Sequence, residues 1–95
     1  MMLVYKAMYK YLDKTVFGQV LDFPGAMTEG RNLKHAREML ASALIDMAEA
    51  HILRGEAIPL PDPKKTHPDS DIEEPIYLLL DATTRVKIKP VSASA

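Results

Sequence analysis

The chain has 95 residues, of which 47 % are hydrophobic, 26 % charged and 6 % aromatic. That composition excludes a disordered or fibrous protein and fits one domain over residues 1–95, because two domains of this size could not each bury a core. A net charge of -1 and the absence of cysteine exclude a globally basic nucleic-acid binder, disulfides, thiolate nucleophiles and thiolate zinc sites.

Residues 3–11 alternate as a strand does, with Leu3, Tyr5, Ala7, Tyr9 and Tyr11 on the expected core face and Lys6, Met8 and Lys10 on the other. Lys6 and Lys10 also break this N-terminal apolar run below the length of a signal core or of a span of about 20 residues. No membrane role is expected, and with no cysteine the chain reads as cytoplasmic. Asp13 and Lys14 supply a polar turn, and Val16 to Asp22 reads as a second strand that closes a hairpin. Phe23-Pro24-Gly25 stops it, since proline cannot donate to a ladder and glycine opens positive φ. Ala26 to Glu29 suffices for a short third strand, ended by Gly30.

Asn32 stands where an N-cap belongs, and the glycine- and proline-free stretch after it predicts a helix from Leu33 to Arg54, closed by Gly55. At 100° per residue, Leu33, Ala36, Leu40, Ala43, Leu44 and Met47 share a face that packs on the sheet. His35, Glu38, Ser42, Asp46 and Glu49 lie opposite. Residues 55–75 carry five prolines and many charges, which argues against regular structure there. The proline-rich loop proper is 60–74, with partial disorder expected over 64–71.

Pro75 to Leu80 is apolar on both faces, as in a central strand covered on two sides. Residues 85–89 alternate strictly, with Val86 and Ile88 facing away from Arg85, Lys87 and Lys89, and 83–95 reads as a C-terminal arm with a frayed tail. Lysine on such a segment is better explained as a guard against edge pairing than as a nucleic-acid contact.

No catalytic constellation emerges. His35, His51 and His67 have no metal-ligand spacing, His51 reads as a half-buried packing histidine and His67 as a solvated loop residue. Asp22 and Asp81 occupy strand ends, where aspartate serves turns, and no phosphate loop or nucleophile motif is present. The expectation is a protein that is not an enzyme and holds no metal or cofactor. Arg31, Lys34 and His35, at the helix N-terminus, are the candidate anion-binding residues.

The order of these elements, with Phe23-Pro24-Gly25, Thr28 and Gly30 entering the helix at Asn32-Leu33 and Ala36 and Gly55-Glu56-Ala57-Ile58-Pro59 leaving it, resembles the HicB-like antitoxin family over residues 3–82. Lys34 and His35 stand where that family commonly has acids, and Leu12-Asp13-Lys14-Thr15 replaces its glycine-rich turn. The resemblance implies a two-layer α+β fold, β-β-β-α-β, with sheet order 3-2-1-4, one long helix on one face, a last strand parallel to the first and a topology like part of ribonuclease H. It also implies an antitoxin-type protein that occludes a small HicA-like messenger-RNA-cleaving toxin. Partner contacts are carried over to Phe23, Pro24, Gly25, Met27 and Arg31. The alternative is a stand-alone HicB-like binding protein without a toxin. Many members add a DNA-binding domain, for which residues 83–95 leave no room, so no nucleic-acid binding by this chain alone is expected.

Because one helix covers one face only, while Tyr77 and Leu79 point away from Ile76, Leu78 and Leu80, a homo-oligomer, dimer or tetramer, is expected. Its contacts are placed partly on the last strand and on 83–90, where Val86 and Ile88 either fold back as a hairpin arm or, the reading preferred, pair with a neighbouring subunit.

Overall fold

The computed structural model describes residues 1–80 and 88–90. Its strands and helix are β1 (Met2–Tyr11), β2 (Val16–Val20), β3 (Met27–Gly30), α1 (Leu33–Leu53), β4 (Ile58–Leu60), β5 (Ile72–Leu79) and β6 (Ile88–Pro90). β3, β2, β1 and β5 form one sheet in that order, while β4 and β6 form a separate parallel pair. With β5 as the fourth strand, this is the expected α+β architecture of order 3-2-1-4.

One face of the sheet carries the core. Tyr5, Ala7 and Tyr9 of β1, Val16 and Val20 of β2 and Ile76 and Leu78 of β5 meet Ala36, Leu40, Leu44 and Ala48 of α1, all buried. The helix keeps to the expected stripe, with Leu33 and Met47 half-buried at its margins. Asn32 caps it, its side-chain oxygen accepting from the His35 amide, and Gly55 follows the C-cap at φ 69°. The other end of the packing depends on Gly30. A Cβ there would lie 2.5 Å from the Ala36 nitrogen and 2.7 Å from its Cα, so only glycine lets β3 meet the first helical turn.

The fourth strand corrects several expectations. β5 pairs with β1 antiparallel, from Met2 opposite Leu79 to Tyr9 opposite Ile72, not parallel. A short crossover from the helix would enter beside Met2. Residues 61–71, which can reach at most about 40 Å, instead carry the chain back along the sheet to Tyr9, where the Asp71 amide donates to the Tyr9 carbonyl. β5 is an edge strand and not a doubly covered one, with Tyr77 58 % and Leu79 75 % exposed. It begins at Ile72 and so contains Pro75. The Leu80 amide donates to the Met1 carbonyl, which puts Pro75, opposite Lys6, at a position whose nitrogen faces away from β1, where proline is tolerated.

The proline-rich segment is also more structured than its composition implies. β4 lies inside it, and 64–71 is ordered by its own turns: Lys65 and Ser70 amides donate to the carbonyls of Asp62 and His67, and the Asp69 amide to His67 Nδ1. His67 is therefore half-buried and bonded, not simply solvated. This segment crosses the sheet face opposite α1. The His67 amide donates to Glu73, which also meets Lys6 at 3.7 Å, and Pro63 shares a shallow cavity with Val4, Lys6 and Pro75. Met8, expected on the outer face, is for that reason 1 % exposed, whereas Tyr11, expected in the core, stands 52 % exposed at the sheet's end. Ile88–Pro90 runs along β4 of its own chain. The rest of 83–95, with Val86, and also Asp81, lies outside the described residues.

Leu40→Ala and Leu44→Ala should each lower unfolding free energy by roughly 2 to 5 kcal/mol in denaturant titrations, because both side chains are fully buried against the sheet and each substitution leaves a cavity.

Candidate functional site

The turn between β2 and β3 presents most of the residues expected to meet a partner. It is closed by the Val20 amide donating to the Ala26 carbonyl at 2.9 Å and the Ala26 amide to the Phe23 carbonyl at 3.0 Å. Gly25 has φ 90°, a conformation that calls for glycine, whereas a Cβ there would meet only the mobile end of the Met47 side chain. Pro24, Gly25, Met27 and Arg31 are exposed on or beside β3, one outer edge of the sheet. Phe23, expected at the same surface, is instead fully buried. An aromatic ring in a turn directly before Pro-Gly can face either way, and here the core takes it.

Phe23 supports the turn from below. Its ring packs edge-on with Tyr5, centroids 5.7 Å apart, and with His51 at 5.1 Å. His51 is the expected packing histidine, with Nδ1 2.8 Å from the Met47 carbonyl and Nε2 3.9 Å from Glu56. The Tyr5 hydroxyl donates to the Pro59 carbonyl at 2.5 Å. Burial first, and the nearby Asp22 charge second, raise the Tyr5 hydroxyl well above its ordinary range.

Asp22 is the buried charge of the molecule's described part, 3 % exposed. One carboxylate oxygen accepts from the Asp62 amide at 2.6 Å, and the other meets Lys65 Nζ at 3.2 Å. It therefore ties the turn to the proline-rich segment, a role that no local pattern announces. Asp81, the other strand-end aspartate of the sequence, lies outside the described residues, and among the described residues no group of three His, Cys, Asp or Glu side chains could hold a metal ion.

At the start of α1, Arg31 and Lys34 are exposed and His35 is half-buried. The amides expected to receive an anion are partly committed. That of His35 bonds the Asn32 side chain, that of Ala36 the Asn32 carbonyl, and that of Arg31 the His35 Nδ1 at 3.0 Å. Farther along, Arg37 grips Glu74 with a fork of 2.7 and 3.3 Å above the Tyr9 ring. Burial, then the Glu74 charge, push the Tyr9 hydroxyl up to about 12 against the lowering effect of Arg37. Glu73 sits below the usual carboxylate range, held chiefly by the His67 amide.

The last strand was expected to hold an oligomer, but the apolar groove that α1 forms beside it was not foreseen. Ile45, Ile52 and Leu53 of α1 and residues 78–80 line an open apolar groove beside β5. Ile45 and Ile52 stand seven residues apart, the spacing of a second helical strip, which is the signal that could have found it.

No protein-family model and no curated protein matches the sequence. Among solved structures, the fold is similar to that of a chain in a toxin-antitoxin complex from Streptococcus pneumoniae, with a TM-score of 0.62 and 20 % identity over 99 % of this chain and 85 % of that one. The likeness shows a shared fold. No helix among the described residues is long and apolar enough to cross a membrane.

Two outcomes check the site's framework. Asp22→Ala leaves the Asp62 amide and Lys65 without their acceptor and should cost roughly 1.5 to 3 kcal/mol in thermal or denaturant unfolding. The raised hydroxyls of Tyr5 and Tyr9 contribute stability that is complete below their ordinary value of 10.0 and lost as pH rises through the folded values. Unfolding followed by circular dichroism should therefore begin at alkaline pH above about 10, with Tyr9→Phe showing a smaller alkaline loss than the parent.

Proposed function

We propose that this chain is an antitoxin-type binding protein, HicB-like, that occludes a small HicA-like messenger-RNA-cleaving toxin in the cytoplasm and performs no chemistry itself. The observation that carries the reading is the likeness in fold, over 99 % of the chain, to a component of a toxin-antitoxin complex. The motif resemblance around Phe23-Pro24-Gly25 and Gly55 to Pro59 points independently the same way. The surface assigned to the toxin is the β3 edge, where Met27 is 49 % exposed beside Pro24, Gly25 and Arg31. An apolar side chain flanked by a rigid turn and one guanidinium suits a partner surface that offers an apolar recess with a carbonyl or carboxylate beside it.

Co-expression provides the test. A neighbouring reading frame encoding a small glycine-serine-histidine protein should arrest growth and cleave messenger RNA when expressed alone, and this chain should relieve both effects. Met27→Lys with Arg31→Glu should abolish the relief while the chain stays folded. Absence of protection by the parent chain rejects the antitoxin reading.

A further inference from the structure

We propose that the outer edge of β5 is an interface between two copies of this chain, which pair antiparallel about a twofold axis at Leu78 and extend the four-stranded sheet to eight strands. The proposal is independent of the antitoxin reading, since the β3 surface lies at the opposite edge of the sheet.

The backbone supplies the first argument. Residues 72, 74, 76 and 78 lie opposite odd-numbered residues of β1, in the phase of the Leu80 to Met1 bond, so the C=O groups of residues 73, 75, 77 and 79 and the N–H groups of 73, 77 and 79 face outward. Among the described residues no strand covers them. The first half of this edge is guarded by Glu73, Glu74 and Pro75, as edge strands commonly are. The second half carries Tyr77 and Leu79 and has no charge.

Self-pairing about Leu78 uses the unguarded half alone. Tyr77 then faces the second copy's Leu79 in a hydrogen-bonded pair, and each residue donates to and accepts from the other, twice over by symmetry. A twofold axis at Tyr77 would instead set Leu79 against Pro75, which has no N–H to give. The proline thus selects the register as well as limiting its length.

Area supplies the second argument. Leu53 is 87 % exposed, Leu79 75 %, Tyr77 58 % and Ile45 48 %, together roughly 550 Å² per copy, most of the ~800 Å² that each partner gives to a standard interface. The groove of about 340 Å³ between α1 and residues 78–80 opens along the same edge, so the paired strands bring two grooves together and each receives apolar side chains of the other copy.

Sedimentation of the full chain at tens of micromolar should give twice 10.6 kDa. Leu79→Lys, at a site exposed enough to leave folding intact, should weaken the dimer about tenfold or more, whereas Met39→Lys on the outer helix face should not. The register has its own readout, because the chain contains no cysteine. A mixture of Tyr77→Cys and Leu79→Cys chains should form an interchain disulfide faster and more completely than either variant alone. A monomer at these concentrations, a dimer equally tight in Leu79→Lys, or cross-linking no better in the mixture than in the separate variants would each overturn the proposal.

Discussion

A single carboxylate decides where the chain goes after its helix. Asp22 lies in the turn after the second strand with its side chain inside the protein, and burying a charge is unfavourable unless it is both paired and hydrogen-bonded. Both requirements are met by one segment, through the Asp62 amide and the Lys65 ammonium. Holding that segment at the sheet's lower corner sends residues 63–71 across the face that α1 leaves bare and delivers β5 to the far end of β1. The antiparallel direction of β5 and the burial of Met8 both follow from this one anchorage, and so does the order of a segment whose composition reads as loose.

Above the anchor, an aromatic stack ties three parts of the chain together. Phe23 lies between Tyr5 of the central strand and His51 of the helix, and the Tyr5 hydroxyl reaches Pro59 of β4. The exposed turn of Pro24 and Gly25 rests on this stack, so its conformation is set from beneath and not by a partner. Preorganisation of that kind favours a binding surface, since little order remains to be imposed on contact.

What could be read from the residues was local. The hairpin, the N-cap at Asn32, the helical stripe and the Gly55 stop depend on neighbours within a few positions, and each was legible. The turn beneath the candidate site was legible for the same reason, as Pro24 and Gly25 follow from turn chemistry, whereas Met27 and Arg31 were carried over from the family resemblance. The direction of β5 was not, because parallel and antiparallel entry differ only in the path of residues 61–71, which a contact with Asp22 forty positions earlier determines. The apolar run at 76–80 misled in a related way. A strand covered on both faces and an edge strand with an uncovered face share the same composition, and only the neighbours distinguish them. Phe23 belongs to this class too, as did β4, whose three residues gain a partner only from 88–90.

The central position of β1 also bears on how the chain is made. It is the first of the described elements to be synthesised, and its register partner across the second edge, from Ile72 to Leu79, is nearly the last. At translation speeds of 5 to 20 residues per second the nascent strand waits roughly 4 to 14 s for that partner, with only β2 beside it. During this interval an alternating strand rich in tyrosine and methionine is a hazard for pairing between nascent chains on neighbouring ribosomes. Lys6 and Lys10 stand on it as gatekeepers, and in the finished fold Lys6 turns to Glu73 of the strand that finally arrives.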